Sequence, residues 1–221
     1  EFNPFKYNSF PVNAARQSYA LTMEGQNRLT RLAREGKLSP LAPVLAFQSV
    51  LDATVSAHAV VDALFGQLPE NGSELVLFDI NRHTELGLLF RGQSETRLER
   101  LIPPAPRRYR LTVVANRDPS TDEAVTRTTE AGSTSETVMP VGARWSPDVY
   151  SLSHIALPFP PEDGLYGDRP DPADAFGIHL GTIAAHGERN ALIVSLDWLL
   201  RISWNPFYAL VSERVTASLP A

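Results

Sequence analysis

Two short apolar runs, each bounded by polar and turn-forming residues, give the strongest structural pattern in this chain. They occupy residues 44–50 and 74–80, and both have the length and composition of buried parallel strands. A helical pattern lies between them at about residues 56–68, and residues 69–73 form a strong turn signal. Strand, helix and strand joined by short links predict a βαβ unit with a right-handed crossover.

The pattern on either side of this unit predicts further elements. A helix is predicted over residues 13–35, with Asn13 as its cap and Gly36 as its stop. Residues 81–102 predict one or two short helices, and residues 109–116 predict a strand. Residues 118–142 are typical of either a β excursion or a loop. The remaining predictions are a Pro-rich loop at 158–172, a hairpin of strands 178–183 and 191–196 around Gly187, and a terminal helix over 198–218 bent at Asn205-Pro206.

Composition sets the broad class of the protein. The chain has 221 residues, which suits one large domain or two small ones, and 43% of them are hydrophobic, enough for a sizeable core. The net charge of -5 and the 20% of charged residues exclude a nucleic-acid footprint and indicate an ordered chain. The lack of cysteine excludes disulfides, thiol catalysis and thiolate metal sites. No apolar run approaches the length of a membrane span. Because the chain begins at Glu1 and its first residues are aromatic-rich, we expect it to be part of a longer chain. No compartment is predicted.

Asp52 is the first candidate for chemistry, because it follows the strand at residues 44–50. In open α/β sheets, ligands bind at the carboxyl ends of the strands. The alternative is a turn residue or a helix cap, like Thr54 and Ser56 beside it. His154, about a hundred residues later, supplies the second member of an acid–base pair for a nucleophilic triad.

The third member of such a triad, a serine, has no candidate here. A nucleophile elbow has the pattern Gly-x-Ser-x-Gly, and that pentad does not occur in the sequence. Gly92-Gln93-Ser94 is followed by Glu95-Thr96, and Ser49 and Ser153 also lack the pattern. In α/β-hydrolases the triad follows the chain order Ser, Asp, His. Either the serine lies upstream of Glu1, or the triad interpretation is wrong.

Two stretches carry a resemblance to a known family. Residues 44–82, with QSVLDATV at 48–55, resemble the acid-bearing segment of bacterial α/β-hydrolases of the serine-aminopeptidase and lysophospholipase-like branch. Residues 153–159, SHIALPF, resemble the histidine loop of the same family. The resemblance implies the C-terminal part of an α/β-hydrolase domain. Its fold would be α/β, with a mainly parallel sheet flanked by helices and a β or loop excursion before the histidine loop.

This resemblance assigns roles within a single domain spanning residues 1–221. Residues 1–42 would form a cap-like helical segment, and residues 43–221 the part of the sheet that bears the acid and the base. Asp52 would be the catalytic acid and His154 the catalytic base, with the nucleophile outside this chain and no cofactor or metal.

The resemblance also implies an activity. The expected function is a serine hydrolase acting on a small ester or amide substrate through an acyl-enzyme. Its partner would be the N-terminal part of the same domain, in the same or a separate chain. The alternative is a non-catalytic chain, either a degenerate hydrolase or a fragment that binds a ligand or completes a partner. A Gly-x-Ser-x-Gly segment upstream or in a companion chain would distinguish these.

Other polar and aromatic residues are weaker candidates. His58 and His83 are expected at a helix surface or cap. His179 and His186, with Glu188, match no spacing typical of a metal site. Three acidic residues of the Pro-rich loop lack the glycine and terminal glutamate of a calcium loop: Asp168, Asp171 and Asp174. The three tryptophans are expected in the core or in pocket walls: Trp145, Trp198 and Trp204.

Overall fold

The structure of this protein is a computed structural model that describes most of the N-terminal two thirds of the chain and parts of the remainder. The described residues are 12–50, 52, 55–80, 97–118, 120–144, 159–167, 169, 171–174, 184–186, 199–201 and 205–219. The predictions for residues 1–11 and 81–96, and for the strands at 178–183 and 191–196, therefore lie outside the described residues.

A mixed five-stranded sheet organises the described residues. Its strands lie side by side in chain order: β1 Leu45–Ser49, β2 Glu74–Asp79, β3 Arg110–Asn116, β4 Glu123–Thr129 and β5 Glu136–Arg144. β1, β2 and β3 pair in parallel, which confirms the predicted βαβ unit and the predicted third strand. The register places Gln48 opposite Leu77, and Leu77 opposite Val113.

The expectation of a mainly parallel sheet needs correction, because β4 and β5 run antiparallel to their neighbours. The link between β3 and β4 is short, whereas a parallel pairing requires a crossover of a dozen or more residues. Residues 118–142, which the sequence left open, therefore contribute an antiparallel β excursion. The architecture is of α/β type.

One face of the sheet is covered by the segment between β1 and β2. This segment is helical as predicted, but it forms a π-helical stretch at Ala59–Leu64 and a 3-10 turn at Phe65–Gln67. The short helix α2, Arg97–Leu101, packs on the same face. The buried side chains of this layer come from both helical segments and from the facing strands: Val61, Phe65, Leu68, Leu75, Leu77, Leu101, Tyr109, Leu111 and Val113.

The opposite face of the sheet is covered by the C-terminal helix α3, Tyr208–Ser218, and the turn before it. Phe207 is 1% exposed and its ring centroid lies 5.7 Å from that of Phe78. Val76, Ile80, Val114 and Ala124 complete this buried layer. Helical segments thus lie on both faces, as the parallel part of an α/β sheet requires.

The first helix, α1, spans Val12–Arg34 and confirms the helix predicted at 13–35. It ends in a Schellman motif: Lys37 N donates to Leu32 O at 2.9 Å, and Gly36 adopts a φ of 66°. No residue of α1 is fully buried. Gln26 Nε2 donates to Ala63 O at 2.9 Å and joins the helix to the π-helical segment. None of the described helices has the length and apolar character needed to cross a membrane.

The predicted terminal helix over residues 198–218 is wrong in its first half. Leu199–Arg201 forms strand β7, which pairs antiparallel with β6, Ala184–His186. The helix begins only at Tyr208, because Pro206 lacks an N–H and disfavours helical backbone at Asn205.

Candidate functional site

Polar residues end all three parallel strands at one edge of the sheet. Ser49 ends β1, Asp79 ends β2 and Asn116 ends β3. Ser49 and Asp79 are each only 6% exposed. Carboxyl ends of parallel strands share one edge, and in α/β sheets this edge binds ligands. Asp79 and Asn116 are not among the candidates from the sequence, although each is the first polar residue after an apolar stretch, which is a signal that the sequence carries.

Asp52 lies just beyond this edge, after β1, and both of its carboxylate oxygens accept hydrogen bonds. Oδ1 accepts from Val55 N at 2.9 Å, and Oδ2 accepts from Gln48 Nε2 at 3.1 Å. The bond from Val55 confirms Asp52 as a turn residue. The cap of the helical segment is Ser56 instead, whose Oγ accepts from Ala59 N at 3.2 Å.

Gln48 and Asp79 bring further polarity to the same side of the sheet. Ala46 and Val50 pack on the first core layer, and strand alternation places Gln48 between them on that face. Leu75 and Leu77 belong to the same layer, so Asp79 continues their row at the end of β2. The edge therefore carries two carboxylates and a buried amide, a chemistry suited to binding or orienting a cation such as an imidazolium. Among the described residues no group of His, Asp and Glu side chains is placed to hold a metal ion.

His154 lies outside the described residues, so the structure does not test its pairing with Asp52. The chain re-enters the described part at Phe159, whose carbonyl accepts from Asn205 N at 2.7 Å. Asn205 is fully buried, and its Oδ1 accepts from Phe207 N at 2.9 Å, beside Phe78. Five extended residues span at most about 17 Å. Phe159, five residues after His154 in the sequence, is therefore anchored near the carboxyl end of β2.

The segment that follows Phe159 is a loop, as its proline content predicted, and its described residues are tied together by hydrogen bonds. Asp163 Oδ1 accepts from Leu165 N at 3.0 Å and from Tyr166 N at 2.8 Å, and Gly167 N donates to Asp163 O at 2.8 Å. The rings of Phe159 and Tyr166 lie 4.2 Å apart between centroids. These bonds give residues 159–167 a defined structure.

Of the weaker candidates from the sequence, the structure describes four: His58, His186, Asp171 and Asp174. The His58 side chain is 67% exposed, with Nδ1 3.7 Å from Asp62 Oδ2, and His186 lies in β6. Asp171 is exposed and closes a turn by accepting from Ala173 N at 2.9 Å, and Asp174 ends a 3-10 turn at Pro172–Asp174. The other weaker candidates lie outside the described residues: His83, His179, Glu188, Asp168, Ser94, Ser153, Trp145, Trp198 and Trp204.

Comparisons of this chain with protein-family models, with curated proteins and with solved structures find no match. The chemistry open to this site therefore rests on its own residues and geometry. The best-defined group is the Asp52 carboxylate, held on both oxygens at the carboxyl end of a parallel strand.

Proposed function

We propose that this chain supplies the acid and the base of a serine hydrolase of the α/β-hydrolase type. Asp52 is the acid and His154 is the base. The nucleophilic serine belongs to a segment outside these 221 residues, since no Gly-x-Ser-x-Gly occurs within them. The substrate is a small ester or amide, and no cofactor is needed. The resemblance of residues 44–82 and 153–159 to that family supports this proposal.

The observation that carries the proposal is the way the Asp52 carboxylate is held. A turn requires only the bond from Val55 N to Oδ1. The second bond, from the buried Gln48 amide to Oδ2, exceeds what the turn needs. Burying an amide in an apolar layer is unfavourable unless its hydrogen bonds are made. A carboxylate fixed on both sides, at the sheet edge where α/β proteins bind ligands, has the geometry of a group that orients an imidazole.

The anchor at Phe159 supports the assignment of His154 as the base that pairs with Asp52. His154 is five residues from this anchor, within about 17 Å of chain. The anchor packs through Asn205 and Phe207 against Phe78, which lies opposite Ser49 in the register of β1 and β2. A loop of this length can therefore bring an imidazole to the Asp52 end of the sheet.

The proposed reaction is acyl transfer in two steps. The serine oxygen attacks the carbonyl carbon while the His154 imidazole takes the serine proton, and Asp52 stabilises the imidazolium that forms. The imidazolium then gives this proton to the departing alcohol or amine, which leaves an acyl-enzyme. Water attacks the acyl-enzyme, and His154 returns the proton of water to the serine.

The test is labelling of the full-length gene product with a fluorophosphonate probe, which reacts with activated serines. Asp52→Asn and His154→Ala should each lower the labelling rate by roughly 10⁴-fold, because the proton acceptor is misoriented or missing. His179→Ala and His186→Ala serve as matched controls and should label like the unchanged protein. Equal losses for all three histidines would point to a metal site or a folding defect and would contradict the proposal.

The second candidate function is that of a non-catalytic chain. The bond from Val55 N to Asp52 Oδ1 favours it, because this is the bond that an aspartate with a purely structural role in the turn would make. Such a chain would be a degenerate hydrolase or a fragment that completes a partner. Absence of labelling in a folded full-length product would establish this alternative.

A further inference from the structure

Gln48 holds an unusual position for an amide side chain. It is 6% exposed and lies in the row of β1 that faces the first core layer, between Ala46 and Val50. Its Nε2 atom contacts three oxygens: Ser49 O at 3.1 Å, Asp52 Oδ2 at 3.1 Å and Val55 O at 3.3 Å. One side chain thus spans the whole turn that follows β1.

The chemistry of these three contacts fixes the orientation of the amide. Two are carbonyl oxygens and one is a carboxylate oxygen, and all three act as hydrogen-bond acceptors. The amide nitrogen therefore points at all three, since a flipped amide would place its oxygen against three acceptors. Its two hydrogens are shared among three acceptors, so a single apolar replacement removes the side-chain donor from all three contacts.

We propose that Gln48 is the positioning residue of Asp52, one that sets the direction of the carboxylate without contacting the substrate. The proposal rests on the proposed function of Asp52 as the catalytic acid. Gln48 holds Oδ2 while Val55 N holds Oδ1, so the carboxylate plane is fixed from two sides.

The test uses the full-length gene product, fluorophosphonate labelling over a range of pH, and thermal unfolding of each variant. Gln48→Met keeps the length of the side chain and removes the donors. Its labelling rate should fall about ten- to a hundredfold, the usual effect of losing an outer partner that orients a reactive group. Half-maximal labelling should move to lower pH, because a poorly oriented carboxylate stabilises the imidazolium less.

A second variant, Gln48→Glu, gives a readout that a structural role would not produce. Its carboxyl group faces three acceptors, so at low pH it keeps a proton and can donate to Asp52. As the pH rises it loses that proton and repels Asp52. Labelling relative to the unchanged protein should therefore be highest at low pH and decline as the pH rises, with the fold verified by circular dichroism at each pH.

The matched control is Thr112→Val. Thr112 is fully buried in the same sheet, and its Oγ1 donates to Glu74 Oε1 at 2.7 Å, at the opposite end of the strands. This variant also loses a buried hydrogen bond, but it should label at the unchanged rate and with the unchanged pH dependence.

The possible outcomes separate the two proposals. If the unchanged protein does not label, the proposed hydrolase function fails. If it labels and folded Gln48→Met matches it in rate and pH dependence, the positioning role is overturned and the hydrolase function stands. If Gln48→Met does not fold, Gln48→Glu decides: a labelling ratio that does not decline with pH overturns the positioning role.

Discussion

Tyr109 and Arg107 carry buried polar atoms that make no hydrogen bond within the part of the chain that the structure describes. The atoms are the Tyr109 hydroxyl oxygen and Arg107 Nη1, and the Tyr109 side chain packs edge-on against Phe65 with ring centroids 4.9 Å apart. Burial raises the pKa of Tyr109, which the Arg107 guanidinium lowers and the Asp62 carboxylate raises further. Burial also lowers the pKa of Arg107. The hydroxyl therefore contributes a desolvation penalty and no compensating bond.

Replacing this hydroxyl should stabilise the fold. Tyr109→Phe keeps the ring contact with Phe65 and should raise the free energy of unfolding by about 1 kcal/mol, the penalty of a buried unpaired group. The folded-state pKa of Tyr109 lies above its unfolded value, so ionisation of Tyr109 does not lower the free energy of unfolding below about pH 10. The free energy of unfolding then falls as the pH rises through the folded pKa. Tyr109→Phe should remove that alkaline loss.

Denaturant unfolding at neutral and alkaline pH checks this prediction. Tyr166→Phe is the control, because Tyr166 is only half-buried, with its ring tilted against that of Phe159, and should gain nothing from losing its hydroxyl. A Tyr109→Phe protein less stable than the unchanged chain would show that the hydroxyl has a partner.

At the scale of elements, helix α3 is joined to the sheet by charge as well as by Phe207. The Glu74 side chain is 12% exposed, and Oε1 accepts from Thr112 Oγ1 at 2.7 Å. Two cations face this carboxylate: Arg110 Nη1 lies 3.7 Å from Oε2, and Arg214 Nη1 of α3 lies 3.6 Å from Oε1. Arg110 also binds Glu130 at 2.8 Å, so it is shared between two acids.

Removing the α3 cation should weaken the fold more than removing a surface cation. Arg214→Met keeps most of the side-chain packing and leaves Glu74 with one shared cation. We expect a loss of about 1–2 kcal/mol, below the 3–5 kcal/mol typical of a fully buried pair. Arg117→Met breaks an exposed pair with Glu123 and should cost at most about 0.5 kcal/mol. Equal losses in denaturant unfolding would contradict this ranking.

The conformation of the loop that follows Phe159 depends on Gly167. A Cβ at this position would collide with the main-chain oxygen of Pro161 and with the main-chain N and O of Asp163. Gly167→Ala should therefore distort the loop and lower the free energy of unfolding by about 1–3 kcal/mol. Because the loop begins at the Phe159 anchor, serine labelling of the full-length product should fall as well.

Gly25→Ala is the matched control for this substitution. Gly25 lies inside α1 and nothing surrounds its missing Cβ within 4 Å. Alanine there should stabilise the helix by about 0.5–1 kcal/mol. Thermal unfolding of the two variants should shift in opposite directions, and a shift of Gly167→Ala towards higher temperature would contradict the tight-turn account.

At the scale of the whole molecule, the two outer strands of the sheet differ. β5 carries charges at both ends and Pro140 in its interior, which are features that protect a sheet edge. β1 has the sequence LAFQS, with neither charge nor proline, and among the described residues it pairs with β2 alone. We expect an upstream strand, the one that carries the proposed serine, to pair with β1. The isolated chain should then be poorly soluble or partly unfolded.

Amide exchange can test this pairing residue by residue. Glu74 N donates to Val44 O, and Val50 N donates to Phe78 O. The even-numbered residues of this stretch therefore direct their backbone N–H and C=O groups towards β2. In a parallel strand the alternate residues, Leu45 and Phe47, then direct their N–H groups away from β2.

The amides of Leu45 and Phe47 should be protected in the full-length product and exchange fast in the 221 residues alone. Those of Ala46 and Gln48 provide the internal control. Protection of Leu45 and Phe47 in the isolated chain would show that its own residues cover this edge.

The sequence by itself determined the elements whose pattern is local. Apolar runs of strand length at β1 and β2, with a helical period between them, specify a βαβ unit because each pattern has only one way to bury its apolar side. Gly36 ended α1 as predicted, because the Schellman turn needs a positive φ. Asp52 could also be singled out, since a polar residue at a strand end is a local feature.

The tertiary structure decided what depends on distant partners. Residues 118–142 have a composition that suits a loop or a strand, and only pairing with β3 made them β4 and β5. Leu199–Arg201 became a strand because Ala184–His186 pairs with it, against its helical appearance. The role of Gln48 emerged only when the turn brought three acceptors to its amide, because a hydrogen-bond partner is fixed by position in space rather than by position in the sequence.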